Sequence, residues 1–175
     1  PKIFFVEKLF IPSIEKTDWS SKKIKLIQNF FKKIYPSKSS SINQNYKLQK
    51  KIYISRKLAI KRHLKNEDEF LPLLKKHGFS KVFLEKMTIK DQVKLFRSIS
   101  HVIAPHGAGL TNVLFAPNNI KILEIRPILT SGNFCFENLF AINWPMYEIL
   151  VPPKTGRFFI PKEQLEEVLL RWEND

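Results

Sequence analysis

Ala104-Pro105-His106-Gly107-Ala108-Gly109-Leu110-Thr111-Asn112-Val113-Leu114-Phe115 is where the chain changes its period, between an apolar segment and a pair of closely spaced glycines. An apolar run at 101–104 leads into it and an apolar-rich segment opens near Gly109, so it reads as a strand turning into a helix. Its two glycines allow backbone N–H groups to approach an anion at the positive end of that helix. An isolated Gly-x-Gly is equally compatible with a tight structural turn, so the pattern around it carries the decision.

Outward from the turn, the chain alternates. Strands are expected at 51–55 and 81–85 before it, and at 121–125 and 147–151 after it. Between them come a helix at 67–77, with Asn66 as cap and Gly78 just past its end, and a helix opening at the Thr88-x-x-Asp91 capping box. An aromatic helix around 134–140 and a helix from Lys162 complete the series. Short apolar strands alternating with helices predict an α/β fold, a Rossmann-like parallel sheet with helices on both faces. Ligands in such sheets bind at the carboxyl ends of the strands. The expected organisation is a Rossmann-like domain at 51–175, preceded at 1–50 by a strand (2–6), a basic helix and a linker. That helix runs from Ser20 or Ser21 to about Tyr35, with Ile24, Leu26, Ile27, Phe30, Phe31 and Ile34 as its apolar face. Pro36 stops it, and a Ser-rich stretch at 37–49 follows.

The composition of the 175 residues, 43% hydrophobic with fifteen Phe, describes a globular protein, and no apolar run approaches the roughly 20 residues that span a bilayer. No signal peptide is read at the start, which lacks an initiating Met and resembles the cut end of a longer chain. The lone Cys135 has no His or second Cys beside it and is expected to be buried. The net charge of +14 belongs to the first half: Lys22 to Lys65 carries fourteen Lys or Arg and no acid, a field that attracts phosphates, anionic lipid headgroups or nucleic acid.

Several side chains join the glycine turn. Ser55-Arg56 closes the first strand of the sheet, placing a guanidinium with fork geometry suited to a diphosphate at the same edge. Arg62, six residues on, is a secondary candidate. His106 is read as a phosphate contact. Glu124, 17 residues beyond Gly107, sits where a carboxylate can accept hydrogen bonds from ribose hydroxyls. Glu67-Asp68-Glu69 is read as helix-start electrostatics. No Asp-x-Asp, His-x-x-x-His or Cys-x-x-Cys occurs, so no metal site and no cofactor requirement are expected, and Arg, Lys and the helix end are left to neutralise a phosphate.

Tyr53-Ile54-Ser55-Arg56-Lys57, Gly78-Phe79, Gln92-x-x-x-Phe96, His106-Gly107-Ala108-Gly109-Leu110-Thr111-Asn112 and Leu123-Glu124-Ile125, in this order, resemble family 61 of the glycosyltransferases. The resemblance implies a GT-B architecture of two Rossmann-like domains, of which this chain is similar to the C-terminal, donor-binding one. The domain at 51–175 would then bind a nucleotide sugar, with UDP as the expected nucleotide. Carried over, the donor-site residues are Ser55, Arg56, His106, Gly107, Ala108, Gly109, Leu110, Thr111, Asn112 and Glu124. The acceptor would be a glycan or polysaccharide hydroxyl, as in members that transfer N-acetylglucosamine or pentoses and in bacterial relatives associated with capsule. A full acceptor site needs an N-terminal domain or partner chain. The location implied is cytoplasmic and peripheral to an anionic membrane face through Lys22–Lys65 for a bacterial protein, and lumenal for a eukaryotic one.

Arg56 and His106 are the expected stabilisers of the leaving diphosphate, with no residue assigned as the base. Arg56→Ala and His106→Ala are expected to weaken donor binding with the fold intact. Two other classes compete. An NAD(P)-dependent oxidoreductase would explain Gly107-x-Gly109 with Glu124, but Asn112 replaces the third glycine and the turn follows the third sheet strand rather than the first. A nucleic-acid-binding module would explain the basic stretch but lacks any recognisable binding motif, so no nucleic-acid partner is expected.

Overall fold

A computed structural model describes residues 21–36, 50–60, 63–126, 140, 143–151 and 158–174. Five strands form one parallel sheet: β1 (Lys51–Ile54), β2 (Phe79–Val82), β3 (His101–Pro105), β4 (Lys121–Ile125) and β5 (Tyr147–Leu150), in the order β2-β1-β3-β4-β5. The register sets Lys51 opposite both Phe79 and His101, and His101 opposite Lys121. Among the described residues it is accompanied by the α-helices α1 (Ser21–Ile34), α2 (Glu67–Lys76), α3 (Ile89–Ser98) and α4 (Lys162–Asn174). Because β2 and β3 lie on opposite sides of β1, the chain reverses its direction of travel across the sheet between them. The gap between the carboxyl ends of β1 and β3 is therefore a topological switch point, where such sheets open a ligand crevice.

Each strand alternates its side chains between two cores. Ile52, Ile54, Val102 and Ile122 pack with Leu95 and Phe96 of α3 and Ile24 of α1 on one face. Tyr53, Ile103, Leu123 and Ile125 pack with Phe70, Leu73 and Leu74 of α2 and Leu165, Leu169 and Trp172 of α4 on the other. Helices thus cover both faces, as the alternating pattern predicted.

Several local expectations are corrected. The second strand starts two residues earlier than expected, at Phe79, because Gly78 (φ 79°) ends α2 and delivers the chain directly into pairing with β1. Leu84 and Glu85, expected to end that strand, belong instead to a 3₁₀ turn, Leu84–Lys86, whose Leu84 is buried. Asn66 does not cap α2 with its side chain; it is buried and clasps the backbone of Ile160, donating to its carbonyl (2.7 Å) and accepting from its N–H (3.1 Å). Thr88 caps α3 as expected, its hydroxyl accepting from Asp91 N at 3.2 Å and donating to Asp91 Oδ2 at 2.7 Å. On α1 only Ile24 is buried, Ile27 and Phe31 are partly covered, and Leu26, Phe30 and Ile34 face outward. The expected strand at 2–6, the Ser-rich stretch at 37–49, the aromatic helix before residue 140, Arg62 and Cys135 lie outside the described residues.

Candidate functional site

The carboxyl end of β1 is built around a buried carboxylate. Ser55 continues the ladder, its N–H donating to Val82 O at 2.9 Å, and its hydroxyl donates to Glu67 Oε1 and Oε2 at 2.9 and 2.8 Å. Glu67 also accepts from Tyr53 Oη at 3.0 Å and pairs with Lys81 Nζ at 2.6 Å. Burial, together with the Glu67 charge, pushes the Tyr53 phenol above its ordinary pKa, so the phenol stays a donor. Glu67 is therefore not surface electrostatics at a helix start. That role falls to Asp68, which forms an exposed pair with Lys57 (2.7 Å) that lowers the Asp68 pKa and raises that of Lys57. The hydrophobic stripe of α2 could have revealed this: Glu67 stands three and seven positions before Phe70 and Leu74, on the buried face.

Arg56 follows Ser55 and lies over the glycine turn. A Cβ placed on Gly107 would stand 3.0 Å from Arg56 Cζ and nearer still to Nη1, so only glycine admits the guanidinium there. Gly107 also has φ 156°, which a side chain would strain. Gly109 has a packing reason instead: its Cβ would meet Leu84 Cδ1 at 3.2 Å and Ile54 Cγ2 at 3.6 Å. The segment Ala108–Phe115 is a 3₁₀ helix rather than the α-helix expected. Asn112 Nδ2 donates to Gly109 O at 3.1 Å, taking the carbonyl that an α-helical turn would use, and to Gln92 Oε1 at 3.0 Å. Gln92 in turn donates to Leu84 O and Met87 O, so α3 braces the turn. Within the turn Leu110 is fully buried, whereas Ala108 and Thr111 are exposed.

Behind the turn, His106 and Glu124 form a second buried pair. His106 N–H donates to Ile125 O at 2.8 Å, and its ring Nδ1 is hydrogen-bonded to Glu124 Oε1. Tyr147 Oη donates to the other oxygen, Oε2, at 2.5 Å. The two oxygens of the Glu124 carboxyl are thus engaged by the His106 ring and by Tyr147, which fixes the orientation of the imidazole. Glu124 is 0% exposed, and neither Arg126 nor a lysine is its partner in these bonds. Tyr147 escaped the sequence reading because it lies 23 positions from Glu124, on a strand that reaches it only through sheet pairing.

Ser55, Arg56, Ala108, Gly109, Asn112 and Gln92 line a cleft of about 470 Å³ together with apolar walls from Ile54, Leu58 and Leu84. A larger cavity of about 660 Å³ lies between α1 and the far end of the 3₁₀ helix. The smaller one adjoins the switch point, whereas Arg97 beside the larger donates to the carbonyls of Phe31 and Tyr35 and so closes α1. Among the described residues no three His, Cys, Asp or Glu side chains converge as a metal site, and no helix is long and apolar enough to cross a membrane.

The Glycosyltransferase 61 family model matches residues 1–123. The EGF domain-specific O-linked N-acetylglucosamine transferase of Drosophila melanogaster is 37% identical over 113 residues, covering 59% of this chain and 21% of that protein. The chain thus spans about a fifth of that relative's length, while the family match takes in β1, β2, β3, the 3₁₀ helix and the start of β4. With the Ser55-Arg56 strand end and the His106–Asn112 turn both inside the matched region, the chain belongs to glycosyltransferase family 61.

Proposed function

We propose that this chain is the donor-binding part of a GT-B glycosyltransferase that takes a nucleotide-diphosphate sugar, with UDP as the nucleotide, and transfers the sugar to a glycan or polysaccharide hydroxyl. The observation that supports this best is the packing of Arg56 over Gly107 at the switch point, which brings a guanidinium and a side-chain-free backbone to one crevice. In the reaction the acceptor oxygen bonds to the anomeric carbon. The bond from that carbon to the β-phosphate oxygen breaks, and its electron pair leaves with the nucleoside diphosphate. Arg56 and the N–H groups of the turn meet that growing charge, and His106, oriented by Glu124, meets a phosphate oxygen with its other ring edge. The acceptor proton passes to a base on the other domain.

A thermal-shift panel of nucleotide sugars tests the reading, with UDP-sugars expected to raise the melting temperature of the chain. Arg56→Ala removes a charge-assisted contact worth about 1.5–3 kcal/mol, so affinity should drop roughly tenfold to a hundredfold. Equal affinity in the variant, or a panel without response, overturns the assignment. Random-sequence DNA and NADH serve as probes of the competing classes and are expected not to bind.

A further inference from the structure

We infer that Glu67 is a positioning residue for donor binding: its buried carboxylate holds the turn that carries Arg56 over Gly107. This rests on the donor-site reading above. Carboxylates are almost never buried unless fully paired, and Glu67, 2% exposed, is paired by Ser55, Tyr53 and Lys81. The helix dipole does not demand this arrangement, since Asp68 and Glu69 satisfy the same helix start from the surface. What the inward rotamer adds is a link among three elements: α2 supplies the acid, β1 and the residue just past its end the hydroxyls of Tyr53 and Ser55, and β2 the ammonium.

That link reaches the backbone on both sides of Arg56. The Ser55 hydroxyl held by Glu67 also accepts from Lys57 N at 3.2 Å, while Ser55 N is bonded to Val82 O and Ala59 N donates to Arg56 O at 2.9 Å. Arg56 therefore leaves from a turn fixed immediately before and after it, which restricts where its long side chain can go. A preordered guanidinium loses less rotamer entropy when an anion binds. Glu67 touches no ligand in this scheme and acts only through Ser55 and Arg56.

Calorimetric titration of the whole chain with uridine diphosphate tests this on the unaltered protein, Arg56→Ala, Glu67→Gln, Ser55→Ala, Trp172→Phe and the Arg56→Ala/Glu67→Gln double variant. Arg56→Ala should weaken binding tenfold or more, and Glu67→Gln and Ser55→Ala about three- to tenfold. The double variant should bind no more weakly than Arg56→Ala alone, because the route through Arg56 is already cut. Trp172→Phe, which thins the core against Phe79 and His101 at the amino ends of the strands, should lower the melting temperature without changing affinity. If Glu67→Gln does not fold, Ser55→Ala decides. Glu67→Gln and Ser55→Ala binding normally beside a weakened Arg56→Ala, an additive double variant, or an equal loss in Trp172→Phe overturns the positioning role. Normal binding by Arg56→Ala overturns the donor-site reading itself and this inference with it.

Discussion

At Gly107 the space a methyl group would need is already filled by the Arg56 guanidinium. Gly107→Ala should therefore push Arg56 aside and strain the backbone, costing about 1–2 kcal/mol of stability and lowering UDP affinity about as far as Arg56→Ala. Gly109→Ala meets only the methyl tips of Leu84 and Ile54, so its loss should appear in stability rather than affinity. Titrations and denaturant melts of the two variants separate these outcomes. His106 changes a sequence-based expectation. Placed at a strand end, it was expected to tolerate truncation, yet its side chain is only 11% exposed and it caps a carboxylate that is 0% exposed. His106→Ala leaves that carboxylate one donor short and should cost about 1–3 kcal/mol in urea unfolding, in addition to weakening UDP. The residue types of the turn were legible in sequence. Their contacts were not, because Arg56 reaches Gly107, Gln92 reaches Asn112 and Glu124 reaches His106 from other elements.

Among the elements, the strands at 51–54, 101–105, 121–125 and 147–150 stand where apolar content put them, and the misses are local ones at caps, ends and packed faces. Thr88 opens α3 and Gly78 closes α2 as their chemistry requires. Leu84 looked like strand because it is apolar, but its burial belongs to a 3₁₀ turn. The six apolar positions of α1 implied one broad packed face, and the fold uses about half of it. Phe31 stacks edge-on against Phe115 with ring centres 4.7 Å apart, whereas Phe30 is 59% exposed. Phe31→Ala should then lower unfolding free energy by about 1–3 kcal/mol, and Phe30→Ser should stay within about 0.5 kcal/mol of the parent. Equal losses in thermal melts would contradict the orientation of α1.

Across the whole molecule, the sheet separates its two ends chemically. The carboxyl ends carry Arg56, His106 and the glycine turn, and the amino ends carry the row Lys51, His101 and Lys121. His101 is partly buried against Trp172 and Phe79; burial first, then Lys51 and Lys121, lower its pKa from 6.5 to about 4. The unfolded chain therefore binds this proton first. Its contribution to stability is intact above about pH 6.5 and is lost as pH falls toward 4, and His101→Gln should flatten that slope in urea melts between pH 4 and 7. The alternation of strands and helices, hence a parallel sheet, and the place of the glycine turn and Arg56 at the carboxyl ends of its strands were present in the local pattern of the chain. Those features follow from local periodicity, caps and turn residues. Packing, by contrast, set β1 beside β3, made Gly107 the seat of Arg56, turned Glu67 inward and brought Tyr147 to the Glu124 pair. Strand order and long-range partners depend on how the apolar faces are buried together, a choice made by the whole chain at once and carried by no single segment.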